Sequence, residues 1–152
     1  MRYSGYVIET EFLELLNSAP VVDGELVETL GDPRMREVRD ALHAVIRGEA
    51  ASESLNAYLA GVTSSPSIRD GVVDWTLTGP SNGLAGAAAV LEWARIDAEL
   101  PGRLRPCGNP ECNKFLIDHS KPNTARWCSM AECGNRMKAR RHHARRIASV
   151  SA

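Results

Sequence analysis

The sequence lacks a long hydrophobic run and lacks a leader of the secretory type. The longest stretch without charge, residues 75–91, is interrupted by Pro80 and by several glycine and serine residues, so it does not predict a membrane span. Near the start, Glu9, Glu11 and Glu14 lie where a signal peptide would have its apolar core. We therefore expect a cytoplasmic protein with no membrane partner.

Residues 1–100 also lack a convincing arrangement of catalytic groups. His43 lies beside Leu42 on an amphipathic helix, where a structural or solvent-facing role is commoner than that of a general base. The carboxylates are scattered along predicted helix faces, and solvation explains them. We therefore expect that the protein is not an enzyme.

The net charge of −1 hides a strong division of charge along the chain. Residues 1–100 contain 16 Asp and Glu against 7 Lys and Arg, whereas residues 101–152 contain 3 against 11. The two parts therefore have net charges of −9 and +8. This asymmetry predicts two functional parts, an acidic domain at 1–102 and a basic domain at 103–150, of which the basic one is suited to phosphate-bearing partners.

Hydrophobic periodicity predicts a mainly α fold with a minor β contribution for residues 1–102. The interruption by prolines and glycines separates the expected elements. We expect a short helix at 10–16, a helix that Asp32-Pro33 opens and Gly48 ends, a helix that begins at Ser52, and an Ala-rich helix at 84–100. Residues 67–78 are rich in β-branched and aromatic side chains, so they predict a strand or hairpin arm.

The cysteines form two short-spaced pairs, Cys107 with Cys112 and Cys128 with Cys133, separated by fifteen residues. This spacing is typical of one four-thiolate Zn²⁺ site, which would be structural because four sulfurs leave no open coordination position. Disulfides are disfavoured in the cytoplasm, but the ligands alone do not exclude an iron–sulfur cluster. His119 could replace one thiolate, although four cysteines already complete the shell.

The residues around the pairs predict a treble-clef-like finger, made of a knuckle, a β-hairpin and a helix. Residues 114–117 and 125–128 can pair as strands around a turn at 118–123, and Phe115 and Trp127 would be buried near the metal. Ser129 and Glu132 have the spacing of a reciprocal capping box, which starts a helix at Met130.

This helix should continue to about residue 148, with an inward seam of Met130, Cys133, Met137, Ala144 and Ala148. Its other positions are strongly basic, which predicts contact with nucleic-acid phosphates, although a solvated basic tail is the simpler alternative. The candidate contacts are Arg136, Lys138, Arg140, Arg141, Arg145 and Arg146, with Arg126 on the hairpin as a further candidate. Arg141 lies near the seam and could instead neutralise the thiolates.

The run WCSMAECGNRMKARRHHARR, residues 127–146, closely resembles the signature of the bacterial CGNR zinc fingers, with the naming tetrapeptide at 133–136. Several residues upstream are also similar to that family, namely Phe115, Asp118, Ser120, Lys121, Asn123 and Arg126. The resemblance implies a finger that follows a mainly helical N-terminal domain, in proteins of the stress-induced transcription regulator type.

The leading hypothesis is a zinc-binding, DNA-binding transcription regulator. Its basic helix would contact duplex DNA, and its N-terminal helical domain would sense a signal, bind a partner or form a homodimer. Two alternatives stay open: the polyanion is RNA, or the finger is a zinc-stabilised module that binds protein and no nucleic acid.

Overall fold

The computed structural model of the chain describes residues 2–4 and 8–150, with side chains for residues 8–147. The helices within this part are α1 (Glu9–Leu16), α2 (Pro33–Ile46), α3 (Leu84–Glu99) and α4 (Asn135–Val150), with a 3₁₀ helix at Ser52–Tyr58 and a π-helical turn at Met130–Gly134. The strands are β1 (Arg2–Ser4), β2 (Val21–Val22), β3 (Glu25–Leu26), β4 (Thr63–Arg69), β5 (Val72–Thr78), β6 (Leu104–Pro106) and β7 (Phe115–Ile117). Helices and small sheets both contribute, so the fold is a helical body with small hairpin sheets rather than clearly mainly α.

The helices of the N-terminal part lie close to their predicted positions, and they pack around one core. Asp32 caps α2 by accepting a hydrogen bond from the Arg34 amide at 2.9 Å, with Pro33 in the first turn. The third predicted helix is a 3₁₀ helix. The fully buried side chains of this part include Phe12, Leu16, Leu42, Leu55 and Ile96.

Two hairpins are closed by Asp-Gly turns. Asp70 and Gly71 both have positive φ, at 51° and 74°, and join β4 to β5. Asp23 and Gly24 do the same between β2 and β3. Positive φ at both central residues is the type I′ geometry that matches strand twist. The strand or hairpin arm predicted at 67–78 is therefore confirmed as part of a hairpin, to which β1 adds a parallel strand.

The C-terminal part packs directly on the helical body. Phe115 in β7 is 1% exposed and belongs to the same hydrophobic cluster as Phe12 and Leu42. Asn17 at the end of α1 holds both backbone groups of Phe115, accepting from its amide at 2.7 Å and donating to its carbonyl at 3.2 Å. The acidic and basic parts of the chain therefore share one core. Among the described residues, no helix has the length and apolarity needed to cross a bilayer.

Candidate metal centre

The structure brings all four predicted ligands together. The sulfurs of Cys107, Cys112, Cys128 and Cys133 lie within 4.8 Å of one another. Cys128 Sγ lies 3.8 Å from Cys112 Sγ and 3.7 Å from Cys133 Sγ. Zn–S bonds of about 2.3 Å in a tetrahedron place sulfurs about 3.8 Å apart. The four cysteines therefore form one structural zinc site.

The alternatives that the ligands alone left open do not fit this geometry. The cysteines are free thiols, and the sulfur separations of 3.8 Å and 3.7 Å around Cys128 are far longer than a disulfide bond of about 2.05 Å. Sulfurs that all lie within 4.8 Å enclose one ion, with no room for a cluster of several irons and bridging sulfides. His119 is not a fifth candidate ligand, because its Nε2 contacts Glu9 Oε1 at 2.5 Å.

The first cysteine pair lies in the loop of the β6–β7 hairpin, where the Cys107 amide donates to the Lys114 carbonyl at 2.8 Å. The predicted pairing of residues 114–117 with 125–128 is wrong, since β7 pairs with Leu104–Pro106 and residues 125–128 form no strand. The knuckle itself supplies the hairpin turn. The partner strand β6 has three residues and ends in Pro106, so its hydrophobic pattern was too short to be recognised in the sequence.

The second pair lies at the start of the basic helix, as predicted. Ser129 caps this helix by accepting from the Glu132 amide at 3.3 Å. The reciprocal hydrogen bond of the predicted capping box is replaced by another contact. The Glu132 carboxylate accepts a hydrogen bond from Lys114 Nζ at 3.0 Å. The first turn is also wider than expected: the Gly134 amide donates to the Ser129 carbonyl, five residues earlier, at 3.0 Å.

Three N–H groups point at the sulfurs. The amides of Lys114 and Cys128 donate to Cys112 Sγ and Cys107 Sγ at 3.5 Å and 3.4 Å. Asn109 is fully buried, and its Nδ2 donates to Cys133 Sγ at 3.4 Å. Such donors stabilise thiolates and fix the ligand geometry. Sequence reasoning missed Asn109, although the repeat of Cys-Gly-Asn at 107–109 and 133–135 was a signal for it.

Without metal, the thiols resist ionisation unequally. Burial raises the pKa of Cys112 to about 11 and also raises the pKa of Cys128. Burial acts in the same direction on Cys133, but hydrogen bonds from Asn109 and the other cysteines outweigh it and lower its pKa. Zinc must therefore displace protons when it binds, and its apparent affinity falls as the pH falls.

Trp127 fills the space between the two pairs. A Cβ at Gly108 or at Gly134 would lie 3.3 Å from the indole, so both glycines allow the ring to approach. The ring also carries two guanidinium groups, with Arg126 Cζ 5.4 Å and Arg141 Cζ 5.8 Å from its centroid. The expectation that Phe115 packs near the metal needs correction, because its ring lies in the helical core, 4.3 Å from that of His43.

The predicted inward seam of the basic helix is confirmed only in part: Cys133 is buried, and the side chain of Ala148 lies outside the described residues. Met130 is 53% exposed and Ala144 is exposed, whereas Met137 is half-buried. The helix leaves the body of the protein after its first turns, which leaves Ala144 exposed. Every side chain from residue 138 to residue 147 is exposed.

The candidate nucleic-acid contacts have different neighbours. Arg140 forms an ion pair with Glu111 on the first knuckle, and Arg136 lines a cleft of about 610 Å³ beside that knuckle. Arg141 lies over the ring of Trp127. Lys138, Arg145 and Arg146 lie on the exposed stretch of α4.

Residues 103–146 match the family model of the CGNR zinc finger. The match covers 44 of the 152 residues and includes all four cysteines and all seven candidate contacts. This segment of the chain is a CGNR zinc finger. No curated protein matches the chain.

Proposed function

We propose that this CGNR zinc finger binds duplex DNA through α4 and that the protein is a bacterial transcription regulator. The supporting observation is the exposed stretch of residues 138–147. It carries five Lys and Arg residues and no Asp or Glu, and none of its side chains is buried. Neutralising phosphates with such residues releases counterions, which supplies most non-specific affinity for DNA.

A helix that is polar on all sides gains little from packing, and isolated helices of this length are marginal in water. In α4 the zinc site and the capped first turn hold only one end. The major groove of B-DNA admits an α-helix and offers phosphates along both of its edges. Duplex DNA therefore suits the shape of α4 and its charge.

The basic residues of α4 divide between two sides. At about 100° per residue, Lys138, Arg141 and Arg145 fall within about 60° of one another, on the side that faces Trp127. Arg136 and Arg140 fall on the other side, where Glu111 already pairs with Arg140. We expect the first group to make the stronger DNA contacts, and Arg146 to contribute through general attraction.

The N-terminal part takes the regulatory role in this proposal. Its net charge of −9 repels DNA, which would keep the finger as the contacting surface. We propose that it senses a signal or forms a homodimer, and light scattering on the purified protein tests the dimer. A closed four-thiolate shell supports a binding function rather than catalysis.

The test is the affinity for a random duplex measured at several salt concentrations. Lys138→Ala and Arg145→Ala should each weaken binding and make the slope of log affinity against log salt shallower by about 0.9. Arg34→Ala is the matched control, because it removes the same charge from an exposed position in the N-terminal part. It should leave the slope unchanged.

The alternatives make different predictions in the same assay. Stronger binding to structured RNA than to duplex DNA would replace the DNA part of the proposal. Binding to DNA that is independent of salt and of both α4 substitutions would contradict it. Failure to bind any nucleic acid would favour a protein-interaction module.

A further inference from the structure

Two arginines from different parts of the finger meet on one indole ring. Arg126 precedes Trp127 in the loop between the cysteine pairs, and Arg141 belongs to the second turn of α4. Their guanidinium carbons lie 5.4 Å and 5.8 Å from the centroid of Trp127. Both side chains are exposed, while the ring between the knuckles is half-buried.

These two arginines differ from several others of the chain in what holds them. Arg39, Arg95 and Arg105 are each paired with a carboxylate. Within the described part of the chain, neither Arg126 nor Arg141 has a carboxylate at ion-pair distance. An aromatic face orients a guanidinium without neutralising it or occupying its N–H donors. Two positive charges are therefore placed against one ring, at most about 11 Å apart, with their donors available to an anion.

The zinc site fixes the position of this pair. The Gly108 amide, beside Cys107, donates to the Arg126 carbonyl at 2.7 Å. A Cβ at Gly108 would lie 2.9 Å from that carbonyl oxygen, so the backbones touch. The indole also packs on Gly134, beside Cys133, from which α4 carries Arg141. Each arginine is thus connected to a different cysteine pair.

We propose that Arg126 and Arg141 form a phosphate-binding site and that Trp127 is its positioning residue. The ligand is a phosphate group, and in a complex it is a phosphodiester of the DNA backbone. Guanidinium forks match phosphate oxygens in geometry as well as charge. This inference rests on the proposed DNA binding, and it assigns the point on the finger where the backbone is gripped.

The first experiment compares Arg126→Gln and Arg141→Gln with Arg34→Gln, which removes the same charge from the N-terminal part. Zinc content is measured for each variant. The two finger variants should bind duplex DNA about tenfold more weakly, the loss expected for a charged hydrogen bond, with a salt slope that is shallower by up to about 0.9. Finger variants that retain zinc and bind like Arg34→Gln would overturn the proposal.

The second experiment tests the role of Trp127. In Trp127→Leu both arginines remain, so the affinity should fall several-fold while the salt slope stays that of the wild type. Trp127→Phe keeps an aromatic face and should recover part of the loss. Equal affinities of the wild type and a zinc-loaded Trp127→Leu variant would contradict a positioning role. If Trp127→Leu does not retain zinc, the Phe variant provides the test.

The third experiment does not depend on nucleic acid. Inorganic phosphate is titrated into the zinc-loaded protein, and the side-chain N–H resonances of Arg126 and Arg141 are followed by NMR. Shifts that saturate, and that Trp127→Leu diminishes, would support the site even if the protein bound no DNA. In that case only the proposed function would fail, and free phosphate would be the ligand. The absence of saturable shifts, together with unchanged DNA binding by the arginine variants, would remove the site.

Discussion

Helices α3 and α4 each contain 16 residues, but they are stabilised in opposite ways. In α3, residues 86–90, Glu92 and Ile96 are buried against the other helices. In α4, the side chains of residues 138–147 are exposed. The first helix is held along its length by burial, whereas the second is held at one end by a cap, a zinc ligand and Trp127.

This difference separates the fold from the interaction surface. A helix that is buried along its length contributes to stability and has little surface for a partner. A helix anchored at one end keeps nearly all of its surface free, but its order depends on its anchor. Phe115 connects the two systems, because it belongs to the finger and lies in the helical core.

Removal of zinc should have the largest effect, because it removes the anchor of α4 and leaves the buried contacts of α3 in place. Structural zinc binds finger peptides with about 10–16 kcal/mol of apparent free energy, much of which is folding free energy. After chelation, hydrogen exchange should become fast in α4 and stay slow in α3. The melting temperature of the helical body should also fall, because the β6–β7 hairpin that positions Phe115 in the core loses its metal. Continued protection of α4 in metal-free protein would show that zinc is not its anchor.

Phe115→Ala should be nearly as disruptive, at about 3–5 kcal/mol, because a large buried ring leaves a cavity. If the two parts share one core, the N-terminal part and the finger should be destabilised together in denaturant unfolding followed by far-UV circular dichroism and zinc release. Ile68→Ala is the control, since Ile68 is 73% exposed and should change little. A loss confined to zinc release would indicate two independent units.

Acid should weaken the shared core through His43. Burial lowers the pKa of His43 to about 4, and its Nε2 lies 2.8 Å from the Leu16 carbonyl. Above pH 6.5 the His43 imidazole is unprotonated in both the folded and the unfolded state. Between pH 6.5 and 4 the unfolded chain binds the proton and the folded protein does not, so stability falls by up to about 3 kcal/mol. His43→Gln keeps a donor for Leu16 and should flatten this part of the stability–pH curve, whereas an unchanged curve would assign the slope to other groups.

The smallest effects come from one residue in each helix. Gly86→Ala places a Cβ 2.9 Å from Val38 Cγ2, in a buried contact between α3 and α2. Overpacking costs about 1–3 kcal/mol and should outweigh the gain of about 1 kcal/mol in helix propensity. Ala144→Gly in α4 should speed local hydrogen exchange without changing the melting temperature. A lower melting temperature for Ala144→Gly than for Gly86→Ala would contradict the comparison of the two helices.

The elements that could be predicted from sequence are those with a strong local signal. Asp32-Pro33 located α2, the Ala-rich stretch located α3, and the cysteine spacing identified the four ligands. The Asp-Gly pairs at 23–24 and 70–71 are equally local signals for hairpin turns, but their strands were either not recognised or recognised only in part. Sequence also identified Ser129 as the cap of the basic helix, because its partner is three residues away.

The features that were missed depend on distant contacts. The strand partner of β7 is β6 rather than residues 125–128, because the knuckle itself makes the turn. The apolar seam of α4 was wrong at Met130 and Ala144, since periodicity cannot show that these positions stay exposed. Phe115 is held by Asn17, which lies 98 residues away along the chain. Asn109 donates to Cys133, which lies 24 residues away.

The most direct test of the zinc anchor is X-ray absorption at the zinc edge, on protein purified with its native metal and with the metal content measured. We predict one zinc per chain with four sulfur neighbours at about 2.3 Å and no lighter atom in the first shell. A shell that contains nitrogen or oxygen, or a protein without zinc, would contradict the closed site on which α4 and its arginines depend.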